Sequence, residues 1–117
     1  MAVRRIVTNI RTPNVAELRD FYAALFDLNV VMDQGWIATL ASENSGPVQI
    51  SVASEGGSGT EVPDMSIEVD DVDEIHDRAA KFGAAIPYPL TNEPWGVRRF
   101  YLTDPAGKLV NVLQHLP

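Results

Sequence analysis

The order of predicted secondary-structure elements repeats on either side of a glycine-rich segment, and this repeat limits the folds open to the chain. The segment covers residues 54–63 (SEGGSGTEVP) and divides the 117-residue chain nearly in the middle. Glycine and small polar residues at this density are typical of a turn or flexible linker. We therefore predict two modules joined by a linker.

The first module begins with a strand over residues 6–10, and Thr12, Pro13 and Asn14 then break the strand pattern. Asn14 is the predicted N-cap of an amphipathic helix. The apolar residues at helical spacing are Val15, Leu18, Phe21, Tyr22 and Leu25. Three β-rich segments follow, at residues 30–33, 36–41 and 48–53. The first half therefore reads βαβββ.

The second module repeats this order. A strand covers residues 65–69, and the carboxylates of Asp70 and Asp71 favour the N-terminal end of a helix over residues 72–82. Gly83 is expected to end that helix. The remaining strand-like segments are residues 85–88, 97–103 and 109–114.

The two halves share little identity, so the repeated order of elements carries the argument for duplication. Each half alone is a small open sheet with an uncovered face, whereas two halves can form one curved sheet. We predict an α+β fold in which two tandem βαβββ modules form a curved, cup-shaped mixed sheet with helices on the outside. The expected organisation is a single domain over residues 1–117, with modules at about 1–54 and 64–117 and the linker at about 55–63.

Composition excludes several classes of function. The chain has no cysteine, which excludes disulfides, thiolate metal sites and a cysteine nucleophile. Its net charge of −7 has the wrong sign for nucleic acid, so no nucleic-acid partner is expected. No apolar run approaches the roughly 20 residues of a membrane span, and Met1 to Arg5 lead directly into a strand. We expect a cytoplasmic protein without a membrane partner.

Three phrases carry a resemblance to a known family: Phe21-Tyr22, the run at residues 67–73 (IEVDDVD), and the run at residues 94–107 (PWGVRRFYLTDPAG). On these residues the chain resembles the vicinal oxygen chelate superfamily, which includes glyoxalase I, extradiol dioxygenases and bleomycin-resistance proteins. The likeness covers essentially the whole chain. It marks the fold and leaves the chemistry open.

The resemblance implies four metal-ligand positions, which correspond here to Arg5, Gln49, Asp64 and Asn111. Arginine stays protonated and cannot ligate a metal, and neutral amides are weak ligands for zinc, iron or manganese. Only Asp64 is a good ligand. Both histidines, His76 and His115, are expected to have structural or surface roles. We therefore expect no bound metal and no cofactor.

Strand alternation places several polar residues on the face opposite the apolar core residues. These residues are Arg5, Gln49, Asp64, Ser66, Glu68 and Asn111. Two interpretations remain open. The polar groups orient a ligand inside the cup, or Arg5 and Asp64 pair with each other and neutralise a relic metal site.

Aromatic residues provide a second indication of a site. Trp36 follows a glycine turn, and Trp95 lies in a Pro-Trp-Gly loop, where a large ring favours ligand stacking or an interface as much as packing. Tyr101 is a further predicted ligand contact, and Tyr88 is a candidate, although ordinary packing is the simpler explanation for the tyrosines. Together with Asp64 and Glu68, the tryptophans predict an aromatic wall above an acidic floor.

The leading hypothesis is a metal-independent protein that binds a small cationic or aromatic molecule in a homodimeric cup, as the resemblance to antibiotic-resistance proteins implies. The alternative is a glyoxalase- or dioxygenase-like metalloenzyme with an atypical ligand set. A third possibility is an interaction module without a small ligand. The residues alone leave open whether the chain is an enzyme.

Overall fold

The computed structural model describes residues 2–42 and 49–117. It contains two helices and eight strands in these residues, in the order βαβββ followed by βαβββ. The first set is β1 (Val3–Arg11), α1 (Val15–Phe26), β2 (Asn29–Asp33), β3 (Ile37–Ala41) and β4 (Gln49–Ala53). The second set is β5 (Met65–Val69), α2 (Val72–Lys81), β6 (Ala85–Asn92), β7 (Val97–Thr103) and β8 (Leu109–His115).

The chain forms two compact units that do not coincide with the two sequence halves. The N-terminal unit is Val7–Val62, and the C-terminal unit combines Met1–Ile6 with Pro63–Pro117. Strand β1 is therefore divided, because its first residues belong to the C-terminal unit and its later residues to the N-terminal unit. The predicted single-domain organisation remains a prediction.

In the N-terminal unit the strands are ordered β2-β3-β4-β1. The β1–β4 pair is parallel, and the β2–β3 and β3–β4 pairs are antiparallel. One face of these strands packs against α1, where Val15, Ala38 and Val52 are buried. The opposite face carries a buried hydrogen bond between the hydroxyls of Thr39 and Ser51, 2.7 Å apart. One face thus packs against the helix, and the other carries a buried polar contact.

Helix α1 begins where the sequence predicts. The side-chain oxygen of Asn14 accepts a hydrogen bond from the backbone N–H of Glu17 at 3.1 Å, which satisfies one of the free donors of the first turn. Only part of the predicted apolar stripe faces the core. Phe21 and Leu25 are 54% and 60% exposed, and Phe21 contacts Tyr22 edge-on instead of entering the core. The stripe buries Val15 and half-buries Leu18 and Tyr22.

In the C-terminal unit the strands are ordered β1-β5-β8-β7-β6. The β5–β8 pair is parallel, whereas β7 is antiparallel to both β8 and β6. Apolar residues on one face of these strands pack against α2. The buried members of this core are Val69, Val72, Ala79, Phe100, Val110 and Val112. On these strands, the side chains that alternate with the core residues point to the other face.

Helix α2 is capped by Asp71, whose carboxylate accepts a hydrogen bond from the Glu74 N–H at 3.1 Å. Strand β6 is four residues longer than predicted at its C-terminal end. Its prolines, Pro87 and Pro89, hid this extension, because proline is confined to edge strands and β6 is the last strand in the order. The pairing with β7 also shifts register twice along β6.

The α+β class and the repeated βαβββ order are confirmed. The start of the predicted strand at Val48 lies outside the described residues, as does the turn that the sequence Ser45-Gly46-Pro47 favours. Neither α1 nor α2, the helices in the described part of the chain, has the length and apolar character needed to cross a membrane.

Candidate functional site

The polar face of the C-terminal unit is organised in rows that run across its strands. In one row, Ser66 on β5 is paired in register with Asn111 on β8, which is paired with Tyr101 on β7, and Tyr101 is paired with Tyr88 on β6. The amide nitrogen of Asn111 donates to the Ser66 hydroxyl at 3.1 Å. The alternation predicted from sequence thus places Ser66 and Asn111 together on the face opposite the α2 core.

Asn111 has an unsatisfied acceptor. The residue is 8% exposed, and its Oδ1 atom is a buried side-chain oxygen without a hydrogen-bond partner among the described residues. Burying an amide oxygen without a donor costs about 1–3 kcal/mol. Such an atom is uncommon in a native protein and is typical of a position that a water or ligand completes.

The next row is built around Glu68, two residues further along β5. One oxygen of its carboxylate accepts a hydrogen bond from Arg5 Nε at 2.7 Å, and the other lies 3.0 Å from Nδ1 of His115. The Glu68 side chain is 14% exposed, so the pairing with Arg5 is half-buried. This network, which we call the Glu68 network, joins β1, β5 and β8.

The Glu68 carboxylate is stabilised in its charged form. Burial acts to raise its pKa, but the hydrogen bond and charge of His115 and the charge and hydrogen bond of Arg5 outweigh burial. The pKa of Glu68 is therefore lowered from its ordinary value of 4.5. Glu68 is an anion held by partners of its own chain.

A cleft of about 280 Å³ lies beside the Glu68 network, at the end of β5 that leads into α2. The residues that line it are Arg4, Glu68, Val69, Asp70, Gln114 and His115. All of them belong to the C-terminal unit. Four of the six carry ionisable side chains, so the cleft is suited to a polar ligand.

The predicted aromatic residues of this unit surround an arginine. The Arg99 guanidinium carbon lies 5.1 Å from the ring centre of Tyr88 and 5.0 Å from those of Trp95 and Tyr101. Arg99 Nε donates to Glu93 at 2.7 Å, and both side chains are 3% exposed. The rings therefore stack on a buried ion pair of the same chain.

Two further predicted residues lie on the N-terminal unit. Trp36 precedes β3 and is half-buried, and its carbonyl accepts a hydrogen bond from the Ser54 N–H at 2.9 Å. Gln49 begins β4 and is half-buried. In the N-terminal unit Ile50 lies opposite Thr8, and in the C-terminal unit Val112 lies opposite Ile67. Gln49 and Asn111 directly precede Ile50 and Val112, so they occupy equivalent positions in the two modules, as predicted.

Asp64 lies just before β5 and is exposed. Its carboxylate accepts a hydrogen bond from the Leu109 N–H at 2.9 Å, and its own N–H donates to the Leu109 carbonyl at 2.8 Å. The carboxylate thus fixes the start of β8. Arg5, the residue at the matching position in the first module, pairs with Glu68 instead.

The four positions that the family uses for metal ligands do not form a favourable donor set here. Arg5 offers no acceptor atom and is ion-paired to Glu68. Asn111 offers only a neutral amide oxygen, which is a weak ligand, and the Asp64 carboxylate accepts a hydrogen bond from the backbone. Within residues 2–42 and 49–117, no group of three or more histidine and acidic side chains is arranged to hold a metal ion.

Sequence reasoning missed the polar residues that combine with Glu68 to form the cleft, namely Arg4, Asp70, Gln114 and His115. His115 was assigned a structural or surface role, and its contact with Glu68 depends on the parallel pairing of β5 with β8, which a single sequence does not reveal. One signal was available. Glu68 and Asp70 occupy alternate positions at the end of a strand, where ligand-binding side chains are common in open sheets.

Comparison with protein families supports the resemblance. The model of the Glyoxalase/Bleomycin resistance protein/Dioxygenase superfamily matches residues 4–112. No curated protein shows a significant match to the chain.

Solved structures share the fold at low sequence identity. A structure described as NAD-dependent benzaldehyde dehydrogenase from Legionella pneumophila is similar with a TM-score of 0.77 and 18% identity, covering 95% of this chain and 99% of that one. A glyoxalase/bleomycin resistance protein/dioxygenase superfamily member from Vibrio splendidus 12B01 has a TM-score of 0.67 and 14% identity, covering 98% of this chain and 100% of that one. Methylmalonyl-CoA epimerase from Mycobacterium tuberculosis has a TM-score of 0.64 and 16% identity, covering 98% of this chain and 88% of that one. At these identities the likeness shows the fold alone.

Proposed function

Because the chain belongs to the glyoxalase/bleomycin resistance protein/dioxygenase superfamily, we propose that it binds a small molecule in the cleft of its C-terminal unit, without a resident metal ion. The observation that carries this proposal is the cleft itself, about 280 Å³ in volume and lined by ionisable side chains. The Glu68 network holds one wall of that cleft in a fixed, charged arrangement.

The unsatisfied Oδ1 of Asn111 lies outside the lining of the cleft and marks a second position on this unit where a hydrogen-bond donor is missing. It lies on the polar face that also carries Glu68, and it is an acceptor without a donor in the described part of the chain. A ligand or an ordered water that donates to this oxygen would recover the cost of its burial.

The chemistry of the metal-ligand positions supports independence from a metal. A guanidinium, two amides and a carboxylate already bonded to backbone are a poor set for zinc, iron or manganese. The metalloenzyme alternative requires instead that Asp64 and a different group of donors hold an ion.

The charges in the cleft argue against a purely acidic floor. Glu68 is compensated by Arg5, which lies outside the lining, and Arg4 adds a cation to the lining itself. Asp64 is exposed and bonded to Leu109. A cationic ligand held by Glu68 and Asp64 alone is therefore less well supported than a ligand that uses both signs of charge.

The experiment is a thermal-shift screen against cationic antibiotics, aromatic metabolites, small carboxylates and divalent metals. A ligand present at about 100 times its Kd stabilises the folded state by about 2.7 kcal/mol. We expect at least one organic compound to stabilise the protein, and Arg4→Gln to reduce that stabilisation.

Arg11→Gln is the matched control, because Arg11 is also an exposed arginine of β1 and does not line the cleft. It should leave the stabilisation unchanged. The proposal is wrong if no organic compound stabilises the protein, or if both variants respond alike. Stabilisation by a divalent metal alone, lost in Asp64→Ala, would establish the metalloenzyme alternative.

A further inference from the structure

We propose that the cleft binds an amphoteric ligand, a small molecule that carries both a carboxylate and an ammonium group. This inference rests on the proposed function, since it names the class of ligand for the same cleft.

Two opposite charges line the cleft without pairing with each other. The side chain of Arg4 forms no hydrogen bond or ion pair with any described residue. The Asp70 carboxylate accepts a hydrogen bond from the Ala2 N–H at 2.8 Å, and no salt bridge joins it to Arg4. Each charge is therefore available to a ligand group of the opposite sign.

The other charges of the lining compensate one another. Glu68 is bonded through one carboxylate oxygen to Arg5 and through the other to His115. A ligand that displaced these contacts would lose a part-buried hydrogen bond of 2.7 Å with Arg5 and an exposed one of 3.0 Å with His115. Arg4 and Asp70 are therefore the charges that distinguish one ligand from another.

Gln114 adds a neutral donor to the cleft. Its Oε1 atom accepts a hydrogen bond from the Val72 N–H at 2.9 Å, at the start of α2. This contact fixes the orientation of the side-chain amide and leaves its nitrogen as a donor. A carboxylate held by Arg4 has a second donor on the same lining.

The size of the cleft suits a molecule of amino-acid dimensions. Its volume of about 280 Å³ is just below the roughly 300–1,000 Å³ typical of sites for drug-sized ligands. A compact ligand with two charged groups uses such a polar site more fully than a large apolar one.

The test is calorimetric titration with three probes that share a phenyl ring and a two-carbon chain. Phenylalanine carries both charges, 3-phenylpropionate carries the carboxylate alone, and phenethylamine carries the ammonium alone. An exposed charge pair contributes up to about 1 kcal/mol, which corresponds to an affinity change of about two- to fivefold. We expect phenylalanine to bind more tightly than either single-charge probe by about this factor.

Variants assign each charge to its partner. Arg4→Gln should weaken phenylalanine by about two- to fivefold and leave phenethylamine unchanged. Asp70→Asn should weaken phenylalanine similarly and leave 3-phenylpropionate unchanged. The controls are Arg11→Gln on β1 and Asp77→Asn on α2, where the Asp77 side chain is 77% exposed and outside the cleft.

The inference is overturned if a single-charge probe binds as tightly as phenylalanine, or if the cleft variants and the controls behave alike. Its failure differs from failure of the proposed function. If another compound binds and responds to Arg4→Gln while phenylalanine shows no advantage, the cleft is a binding site but its ligand is not amphoteric. If no compound responds to Arg4→Gln, both proposals fail.

Discussion

Arg99 and Glu93 form the most deeply buried charged pair described in the chain. Their side chains are 3% exposed, and the Tyr88 hydroxyl donates a further hydrogen bond to Glu93 at 3.1 Å. Removing one partner of such a pair leaves the other as an uncompensated buried charge. Removing one partner therefore costs more free energy of unfolding than the intact pair contributes.

Arg99→Met should therefore lower the free energy of unfolding by about 3–5 kcal/mol, measured by urea denaturation. The neighbouring residue provides the matched control. Arg98 pairs with Asp73, whose side chain is 59% exposed, so Arg98→Met should cost at most about 1 kcal/mol. Equal losses of stability in the two variants would show that the rings of Tyr88, Trp95 and Tyr101 do not isolate the Arg99–Glu93 pair from water.

A buried ion pair such as that of Arg99 with Glu93 cannot be predicted from a single sequence. Alternation along β7 places Arg99 on the same face as Tyr101, and that part was predictable. The partner Glu93 lies at the end of β6 beside the Pro94-Trp95-Gly96 turn, and only the pairing of β6 with β7 brings it to the guanidinium. Sequence reasoning therefore expected Trp95 and Tyr101 to contact a ligand; the structure shows them stacked on Arg99, and ligand contact remains a prediction.

At the scale of elements, apolar patterns and turn residues together predicted the eight strands and two helices of the described residues. The ends were less predictable, since β6 continues through two prolines and β1 extends beyond its apolar centre at both ends. The Glu68 network depends on three such elements meeting. Arg5 and His115 come from β1 and β8, 63 and 47 residues from Glu68 in sequence.

The Glu68 network makes a prediction about pH. Because the pKa of Glu68 is lowered on folding, the unfolded chain binds this proton more readily, and stability rises with pH through this titration. The contribution is present above the ordinary pKa and is lost as pH falls through the lowered value. We expect Glu68→Gln to reduce the acid sensitivity of the unfolding free energy below about pH 4.5.

Urea denaturation between pH 2.5 and 7 would measure this effect in the wild type and the variant, with Asp77→Asn as an exposed control on α2. The wild type and Asp77→Asn should lose stability in parallel as the pH falls. Parallel loss in Glu68→Gln as well would contradict the assignment of a lowered pKa to Glu68.

At the scale of the whole molecule, the homodimer expected from sequence remains a prediction. Helix α1 gives a reason to retain it, because Phe21, Leu25 and Phe26 are each more than half exposed. Clusters of exposed apolar side chains are typical of interaction surfaces. We expect sedimentation at micromolar concentration to detect a dimer that Leu25→Asp weakens.

Phe82 provides the control for that experiment, since it is an 87% exposed apolar residue at the end of α2. Phe82→Asp should leave the sedimentation of the dimer unchanged. A monomer in the wild type would remove the interface and leave the cleft of the C-terminal unit to a single chain.

We propose that the cleft beside Glu68 binds a small molecule without a metal ion. The most direct test is calorimetric titration of chelator-treated protein with the most strongly stabilising organic compound of the thermal-shift screen, in the wild type and in Arg4→Gln. We expect binding that survives chelation in the wild type and is weakened in Arg4→Gln. Binding that disappears on chelation and returns when a divalent metal is restored would contradict it.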